Sequence, residues 1–285
     1  DPLVRAVLGV QCGDSGLPPS KLPAGVHAMV ARHYFQGAWY PIGGGRSLPR
    51  AFLKELRQNG GEIRVRSRVE RILTEVDPSG GRRAIGVRLS DGAEIKAAIV
   101  ISNADPGVTF GTLLDPSDVP TKTRRKVDKL RWSVSDLSLF LAADIDTEAL
   151  GLDSGNYWYL KDAGSLERAF DPGPLEDIDE FEALFLSITS LKDPTKRKGN
   201  THTLEVFSFL PWEGFERWAS TDPDERPEDY RRIKASLQAA MLRTAERIIP
   251  GLSEAVVFQD MGTPVTNVRY CESTRGSIYG SEKTL

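Results

Sequence analysis

The dipeptide Asp91-Gly92 places the strongest constraint on what this chain can fold into. It lies between two segments in which apolar and polar residues alternate, 84–89 and 94–101. Asp-Gly between alternating segments is the sequence signal of a two-residue β-hairpin. A third alternating segment, 68–76, and a short one, 62–65, precede the pair. The sequence therefore predicts a small antiparallel sheet in this region.

A glycine-rich turn and an amphipathic helix precede these strands. Gly43-Gly44-Gly45 is followed by Ser47, a candidate helix N-cap, and then by an apolar stripe of Leu48, Phe52, Leu53 and Leu56. A helix N-terminus attracts phosphate, and glycine lets another group approach the backbone closely. The turn lacks the lysine and the spacing of a P-loop. From the residues alone, it is either a structural turn or part of a phosphate site.

The second half of the chain has a different pattern of apolar and polar residues. It contains five strand-like segments separated by acidic or Pro/Gly-rich links, at 134–143, 157–160, 183–189, 203–210 and 256–261. Residues 107–131 read as helical, and a long helix is predicted over 227–249. The fold class is therefore mixed α/β (α+β). Several long strands and one long helix can enclose a cavity.

The composition excludes several function classes. The 285 residues carry 37 Lys+Arg and 40 Asp+Glu, a net charge of −3, which argues against a nucleic-acid partner. The three histidines and two cysteines have no spacing typical of a metal site, so we expect none. There is no Gly-x-Ser-x-Gly elbow, no secretory leader pattern and no apolar run long enough to span a membrane. The absence of an initial Met suggests a processed or partial chain.

The order of the motifs is more specific than any one of them. In chain order they read HYFQGAWYPIGGG, GGEIRVRSRVERIL, GVRLSDGAEIKAAIVISNADP, THTLEVFSFLPWEGFERW and TPVTNVRYCESTRGSIYGSE. Together they resemble the phytoene-desaturase-like FAD-dependent oxidoreductases. The later segments are similar to the retinol saturase and carotenoid cis–trans isomerase branch. The resemblance covers nearly all 285 residues.

The resemblance implies a domain organisation. Residues 1–37 would be substrate-domain helices, and 38–113 part of an FAD-binding, Rossmann-like domain. Residues 114–270 would form a β-sheet-plus-helix substrate domain, and 271–285 a return segment to the FAD domain. The family's Gly-x-Gly-x-x-Gly motif and its final Gly-Asp motif are absent here. We therefore expect these residues to form part of a larger flavoprotein, with the missing cofactor-domain segments in the same protein or in another chain, and to bind FAD weakly alone.

Site residues follow from the matching motifs. Those implied for FAD are Gly43, Gly44, Val69, Ser102, Asn103, Ala104 and Gly276. For Val69, a strand main chain offers both a donor and an acceptor to the adenine edge. Candidates for proton donation or cation stabilisation near the flavin are Tyr279, Arg275 and His33. Each of these residues also has an ordinary structural reading as a cap, turn or core residue.

The implied substrate is an apolar polyene such as a carotenoid or retinoid, whose carbon–carbon double bonds would be saturated, desaturated or isomerised. Aromatic residues expected to line its tunnel, rather than only to fill the core, are Trp132, Phe140, Phe207 and Trp212, with Trp158 and Phe209. The alternatives are a non-enzymatic lipid- or prenyl-binding escort protein of the same superfamily and a flavin amine oxidase, which nothing in the sequence favours. We expect a cytoplasmic protein, with peripheral membrane contact as a hypothesis because such substrates reside in membranes.

Overall fold

The computed structural model describes residues 1–78 and 80–284. Its strands are β1 (Val69–Val76), β2 (Arg82–Leu89), β3 (Glu94–Lys96), β4 (Ser135–Asp144), β5 (Asn156–Leu160), β6 (Ala183–Ile188), β7 (Thr201–Leu210) and β8 (Val256–Gly262). Its α-helices are α1 (Pro2–Gly9), α2 (Ala24–Tyr34), α3 (Ser47–Gln58), α4 (Pro106–Val108), α5 (Thr121–Val127), α6 (Ser165–Arg168), α7 (Thr189–Lys192), α8 (Glu228–Ala245), α9 (Leu252–Ala255) and α10 (Pro264–Cys271). Short 3-10 helices cover Val10–Ser15, Leu175–Asp177, Pro194–Lys196, Trp212–Gly214, Glu216–Trp218 and Thr274–Gly276, and a π-helical turn covers Thr109–Leu113.

The predicted hairpin is present. Strands β1, β2 and β3 form an antiparallel sheet in that order, and the turn at Asp91-Gly92 joins β2 to β3. Two details of the prediction are wrong. Residues 62–65 form no strand, and the strand expected over 94–101 ends at Lys96. The pairing stops after the Ala97 N–H donates to the Ile85 carbonyl, and residues 82–84 of β2 pair only with β1.

Apolar side chains on this first block face outward. Ile99 and Ile101 are exposed, and so are Leu48, Phe52 and Leu56 on the apolar stripe of α3. The helix has the predicted amphipathic pattern, but no residue of α3 is buried. Leu53, the fourth residue of the stripe, is only partly buried. The sequence therefore predicted the helix correctly, and the structure shows no inner partner for its apolar face.

A five-stranded antiparallel sheet in the order β5-β6-β7-β4-β8 forms the second block. Alternate residues of β4, such as Leu137, Leu139 and Leu141, are buried on one face. The same face meets α8, whose inner residues include Ile233 and Leu237, in the main hydrophobic core. The strand and helix predictions for this block are confirmed to within a few residues at each end, and helix α8 is shorter than the predicted 227–249.

The opposite face of this sheet, called the outer face below, carries three cross-strand rows. Directly paired residues of antiparallel strands lie on the same face, so the register fixes each row. The rows consist of Leu160, Ala183, Phe209 and Asp136; of Trp158, Phe185, Phe207 and Ser138; and of Asn156, Ser187, Glu205 and Phe140. The middle row is aromatic over three strands, with Phe185 and Phe207 stacked at 4.6 Å between ring centroids. The third row is mainly polar.

The two ends of the chain pack against this second block. The 3-10 helix Val10–Ser15 lies against the rings of Trp158 and Phe209 on the outer face. Near the other end, Ser133 donates its N–H to Gly280, Ile278 to Val134 and Glu282 to Arg131. The return segment therefore runs antiparallel to the residues that lead into β4. The helical region expected over 107–131 is broken, with α4 and its π-helical turn separated from α5.

Among the described helices, none combines the length and the apolar character that a membrane crossing requires.

Candidate functional site

A cavity of about 630 Å³ opens where the first block, the second block and the return segment meet. It is called the central cavity below. Its lining residues come from the segment after β3, from β4, from α10 and from the return segment, and they are Asn103, Ala104, Asp105, Pro106, Asp136, Asn267, Cys271, Ser273, Ser277, Ile278, Tyr279 and Gly280. Segments far apart in the sequence therefore share one concave surface, which is open to solvent on one side.

Asp105 holds two walls of the central cavity together. Its carboxylate accepts hydrogen bonds from the Thr274 N–H at 3.0 Å and from the Thr274 hydroxyl at 2.7 Å. It also caps α4 by accepting the Gly107 N–H at 2.7 Å. One carboxylate thus fixes the segment that carries Asn103 and Ala104 to the segment that carries Ser277 and Tyr279.

A polar network forms the floor of the cavity. The Asp136 carboxylate accepts hydrogen bonds from the Asn267 amide at 2.7 Å and from the Ser138 hydroxyl at 2.5 Å. The carbonyl oxygen of Gly276 accepts from the Ser135 hydroxyl at 2.6 Å. Gly276 has φ of +60°, and a Cβ there would lie 2.6 Å from the carbonyl oxygen of Pro264. Only glycine fits this close approach of two backbones.

Two buried hydroxyls in the cavity have no protein partner. Within the described residues, Ser273 Oγ and Ser277 Oγ are enclosed and form no hydrogen bond. Buried polar atoms are nearly always satisfied, so an unpaired pair in one cavity indicates a missing polar ligand. Asn103 and Gly280 line the same cavity as the two serines. This donor set fits the ribose, phosphate and ring-edge groups of FAD, whereas a phosphate cradle of the Gly-x-Gly-x-x-Gly type is absent from the 285 residues.

Tyr279 is the predicted catalytic residue that lines the central cavity. Burial, with the nearby carboxylates of Asp14 and Asp136, raises the pKa of the Tyr279 phenol to about 12. Its ring packs against Gly16, and its backbone N–H donates to the Ser133 hydroxyl at 3.1 Å. Among the described residues its own hydroxyl forms no hydrogen bond. The phenol therefore stays protonated at neutral pH and has a proton to donate.

The other two catalytic candidates lie elsewhere. Arg275 has a left-handed backbone with φ of +57°, and its guanidinium pairs with Glu213. It lines two neighbouring cavities instead of the central one. His33 is exposed and stacks against Tyr34 with 4.3 Å between ring centroids. The structure does not bring these two side chains together with Tyr279 in one cavity.

The predicted FAD residues separate into two groups. Asn103 and Ala104 line the central cavity, and Ser102 lies next to them with its hydroxyl 2.7 Å from that of Thr109. Gly276 borders it through the network described above. Val69 does not line the cavity, but the preceding Arg68 forms an ion pair with Glu272, next to Ser273. The start of β1 is thereby fixed to the same loop.

Gly43 and Gly44 lie at a different place. The Gly43 N–H donates to the Asp193 carboxylate at 2.8 Å, at the start of the 3-10 helix that follows α7. Hydrogen bonds from Thr195 and from Gly43 hold the pKa of Asp193 below its usual range. The Gly-rich turn is therefore connected to the second block through this charged acceptor, and it does not line the central cavity.

The candidate substrate residues lie at two different places in the structure. Phe207 and Phe140 lie on the outer face, together with Trp158 and Phe209. Trp132 and Trp212 instead line a cavity of about 510 Å³ that also contains Arg275 and Phe170. Phe209 is buried, whereas Phe140 is nearly half exposed.

Sequence reasoning missed Asp136, Asn267 and the two serines. A signal for Asp136 was available, because it is the one charged residue in the strand-like segment 134–143. Asn267, Ser273 and Ser277 carry no comparable signal, since they become neighbours only through packing. Among the described residues there is no cluster of His, Cys, Asp and Glu able to hold a metal ion.

Comparison with known proteins gives a consistent result. An all-trans-retinol 13,14-reductase from Danio rerio is 32% identical over 98% of this chain and 47% of its own length. A phytoene desaturase (neurosporene-forming) from Rhodobacter capsulatus is 31% identical over 81% of the chain and 41% of its own length. A chloroplastic prolycopene isomerase from Daucus carota is 29% identical over 98% of the chain and 42% of its own length. The chain spans about half the length of these relatives.

The fold matches as well. The crystal structure of an oxidoreductase from Methanosarcina mazei superposes with a TM-score of 0.51 at 17% identity, over 78% of this chain and 42% of that one. The mixed α/β fold class and the family resemblance predicted from the motifs are confirmed. The sequence profile described as flavin containing amine oxidoreductase matches residues 18–237, and the chain belongs to that family.

Proposed function

We propose that this chain contributes the substrate surface and part of the cofactor site of an FAD-dependent oxidoreductase acting on carbon–carbon double bonds of an apolar polyene. The single observation that carries the proposal is the position of Asp136. This residue lines the central cavity and also belongs to the first row of the outer face. The proposed cofactor site and the aromatic surface are therefore adjacent.

FAD, when bound, supplies the hydride chemistry, and the protein holds the cofactor and the substrate in place and excludes water. Asn103, Ser273 and Ser277 would hold polar groups of the cofactor in the central cavity. The aromatic middle row of the outer face would hold the polyene by burial. At ~25 cal/mol per Å², burying several hundred Å² of polyene contributes up to roughly 10 kcal/mol before ordering costs are subtracted.

A proton donor is also required for saturation or isomerisation. Tyr279 suits this role because it lines the cavity and its phenol carries a proton at neutral pH. The Asp136 carboxylate contributes to the raised pKa of that phenol. We propose Tyr279, and neither Arg275 nor His33, as the group that delivers a proton to the substrate carbon.

The names of the relatives support the substrate class, since they refer to retinol, phytoene and prolycopene. The direction of the reaction, saturation, desaturation or isomerisation, is left open by these three names. The apolar partner is therefore a polyene small molecule. Membrane contact remains a hypothesis, tested by flotation of the protein with lipid vesicles.

The test uses a polypeptide that includes whatever sequence flanks residues 1–285 in its gene. Its purified form should show flavin absorption, and a polyene added under anaerobic, reducing conditions should change its spectrum during turnover. Tyr279→Phe should retain flavin and lose turnover. A protein without any flavin band that still extracts with bound lipid would overturn the proposal in favour of an escort protein.

A further inference from the structure

The third row of the outer face ends in a second cavity, of about 360 Å³, that the proposed chemistry does not use. Trp39, Tyr40, Asn156 and Lys192 are among its lining residues. The Lys192 ammonium donates to the Ser187 hydroxyl at 2.7 Å and to the Asn156 side-chain oxygen. Both acceptors belong to the third row, so Lys192 lies over that end of the outer face. This space is called the end cavity below.

The end cavity lies at a defined distance from the central one. Asp136 and Phe140 are four residues apart on β4, in the first and third rows. At about 3.3 Å per residue, the rows are separated by roughly 13 Å along the strand. The aromatic row of Trp158, Phe185 and Phe207 occupies the interval. Asn156 also lies three strands away from Asp136, a further roughly 14 Å across the sheet. An extended apolar chain that starts at the central cavity would therefore run diagonally over this row to reach Lys192.

The chemistry at the end cavity differs from that of the row before it. Lys192 has lost much of its hydration, and burial lowers its pKa. Its three N–H donors meet two acceptors among the described residues, Asn156 and Ser187, which leaves one donor available to a ligand. Glu205 is on the same row and acts on both Lys192 and Tyr40 electrostatically. A half-buried cation near a carboxylate favours a neutral group that both accepts and donates a hydrogen bond.

We infer that the end cavity is a recognition subsite for a hydroxylated end group of the polyene, with Lys192 as the residue that determines specificity. This inference rests on the proposed function. A hydroxyl oxygen would accept from the Lys192 ammonium, and its proton would point to Glu205. A carboxylate end group would be attracted by Lys192 but repelled by Glu205. A hydrocarbon end group would leave the Lys192 donor unpaired in a partly buried site, at a cost in affinity.

The experiment compares binding of three ligands by the flavin-loaded polypeptide described above. They are all-trans-retinol, the hydrocarbon in which hydrogen replaces its hydroxyl, and retinoic acid, each titrated while tryptophan fluorescence is followed. The wild-type protein should bind retinol about tenfold more tightly than the hydrocarbon, as expected for a hydrogen bond to a charged group. Retinoic acid should bind no more tightly than retinol.

Variants separate the roles of charge and shape. Lys192→Met keeps the aliphatic stem and removes the ammonium, so it should abolish the preference for retinol while binding of the hydrocarbon is retained. Lys192→Arg should restore part of the preference. Lys198→Met, which removes an exposed lysine six residues along the chain, is the matched control and should behave like wild type.

The outcomes are distinguishable. If the wild-type protein binds retinol and the hydrocarbon equally, the subsite inference is wrong while the proposed function stands. If Lys192→Met weakens both ligands equally, Lys192 is a structural residue and the inference also fails. If the wild-type protein binds neither polyene, the proposed function fails together with the inference. If Lys192→Met does not fold, the comparison of the three ligands on the wild-type protein still tests the subsite inference.

Discussion

Asp105 and Thr274 are 169 residues apart in the chain, and their two hydrogen bonds connect the segment after the hairpin to the return segment. Every wall of the central cavity that carries a predicted FAD residue depends on this contact. The relationship also shows why residues 102–104 and 276–280 share a site despite their separation in sequence.

Asp105→Ala removes both bonds and the cap of α4. We expect a loss of about 2 kcal/mol in the free energy of unfolding, because loss of a cap and of buried hydrogen bonds has this magnitude. Thr274→Val removes only the hydroxyl and should cost about 1 kcal/mol. Denaturant unfolding followed by circular dichroism measures both. Equal stability of Asp105→Ala and wild type would show that the contact does not hold the two segments together.

Gly16→Ala should disturb Tyr279 directly. Gly16 has φ of +66°, and a Cβ there would lie 2.7 Å from the Tyr279 ring. Gly173→Ala is the matched control, since Gly173 has φ of +82° with open space around it. Each variant should lose about 1 kcal/mol to backbone strain, and Gly16→Ala about 2 kcal/mol more from overpacking. Thermal unfolding compares them, and equal losses would contradict the packing of Tyr279 on Gly16.

The raised pKa of Tyr279 predicts a dependence on alkaline pH. An unfolded tyrosine loses its proton near pH 10, whereas Tyr279 in the folded protein keeps it to about pH 12. Between these values the folded state binds more protons, so stability contributed by Tyr279 falls as pH rises. Tyr279→Phe should show a shallower decline over pH 10–12. The free energy of unfolding of both proteins, measured across this window, checks the difference; parallel curves would refute it.

His202 predicts a dependence on acidic pH. It is fully buried, its Nδ1 lies 2.9 Å from the Ser190 hydroxyl, and burial followed by the charge of Arg197 lowers its pKa. The unfolded chain takes up a proton near pH 6.5 and the folded protein does so at lower pH, so stability falls on acidification below pH 6.5. His202→Gln should lose less stability than wild type between pH 7 and pH 5.5. An equal or steeper loss of stability in His202→Gln would contradict the prediction.

Local sequence patterns predicted the helices and strands well, but they did not predict how these elements pack against one another. The hairpin at Asp91-Gly92, the five strands of the second block and α8 follow from alternation, turn residues and helical periodicity, which are properties of neighbouring residues. The strand expected through Ile101 is shorter because pairing requires a partner that the sequence pattern does not reveal. The motif order led to the correct family, which no single segment could have done.

The candidate site likewise contains some residues that the sequence predicted and others that it did not. Asn103, Ala104 and Tyr279 were predicted and do line one cavity, whereas no structural observation brings Gly43 and Arg275 into it. Asp136, Asn267, Ser273 and Ser277 escaped prediction because their roles arise from tertiary contacts between β4, α10 and the return segment. A short polar residue in a strand or loop carries no local signature of such a role.

The hydrogen bond from the Gly43 N–H to Asp193 has a mechanical consequence. Lys192 and Asp193 are consecutive, so the ammonium at the end cavity and the acceptor that holds the Gly-rich turn share one stretch of backbone. Any displacement of that stretch is transmitted to a turn 150 residues earlier in the chain. Crowding at the end cavity would therefore also shift the N-terminus of α3, well away from the central cavity.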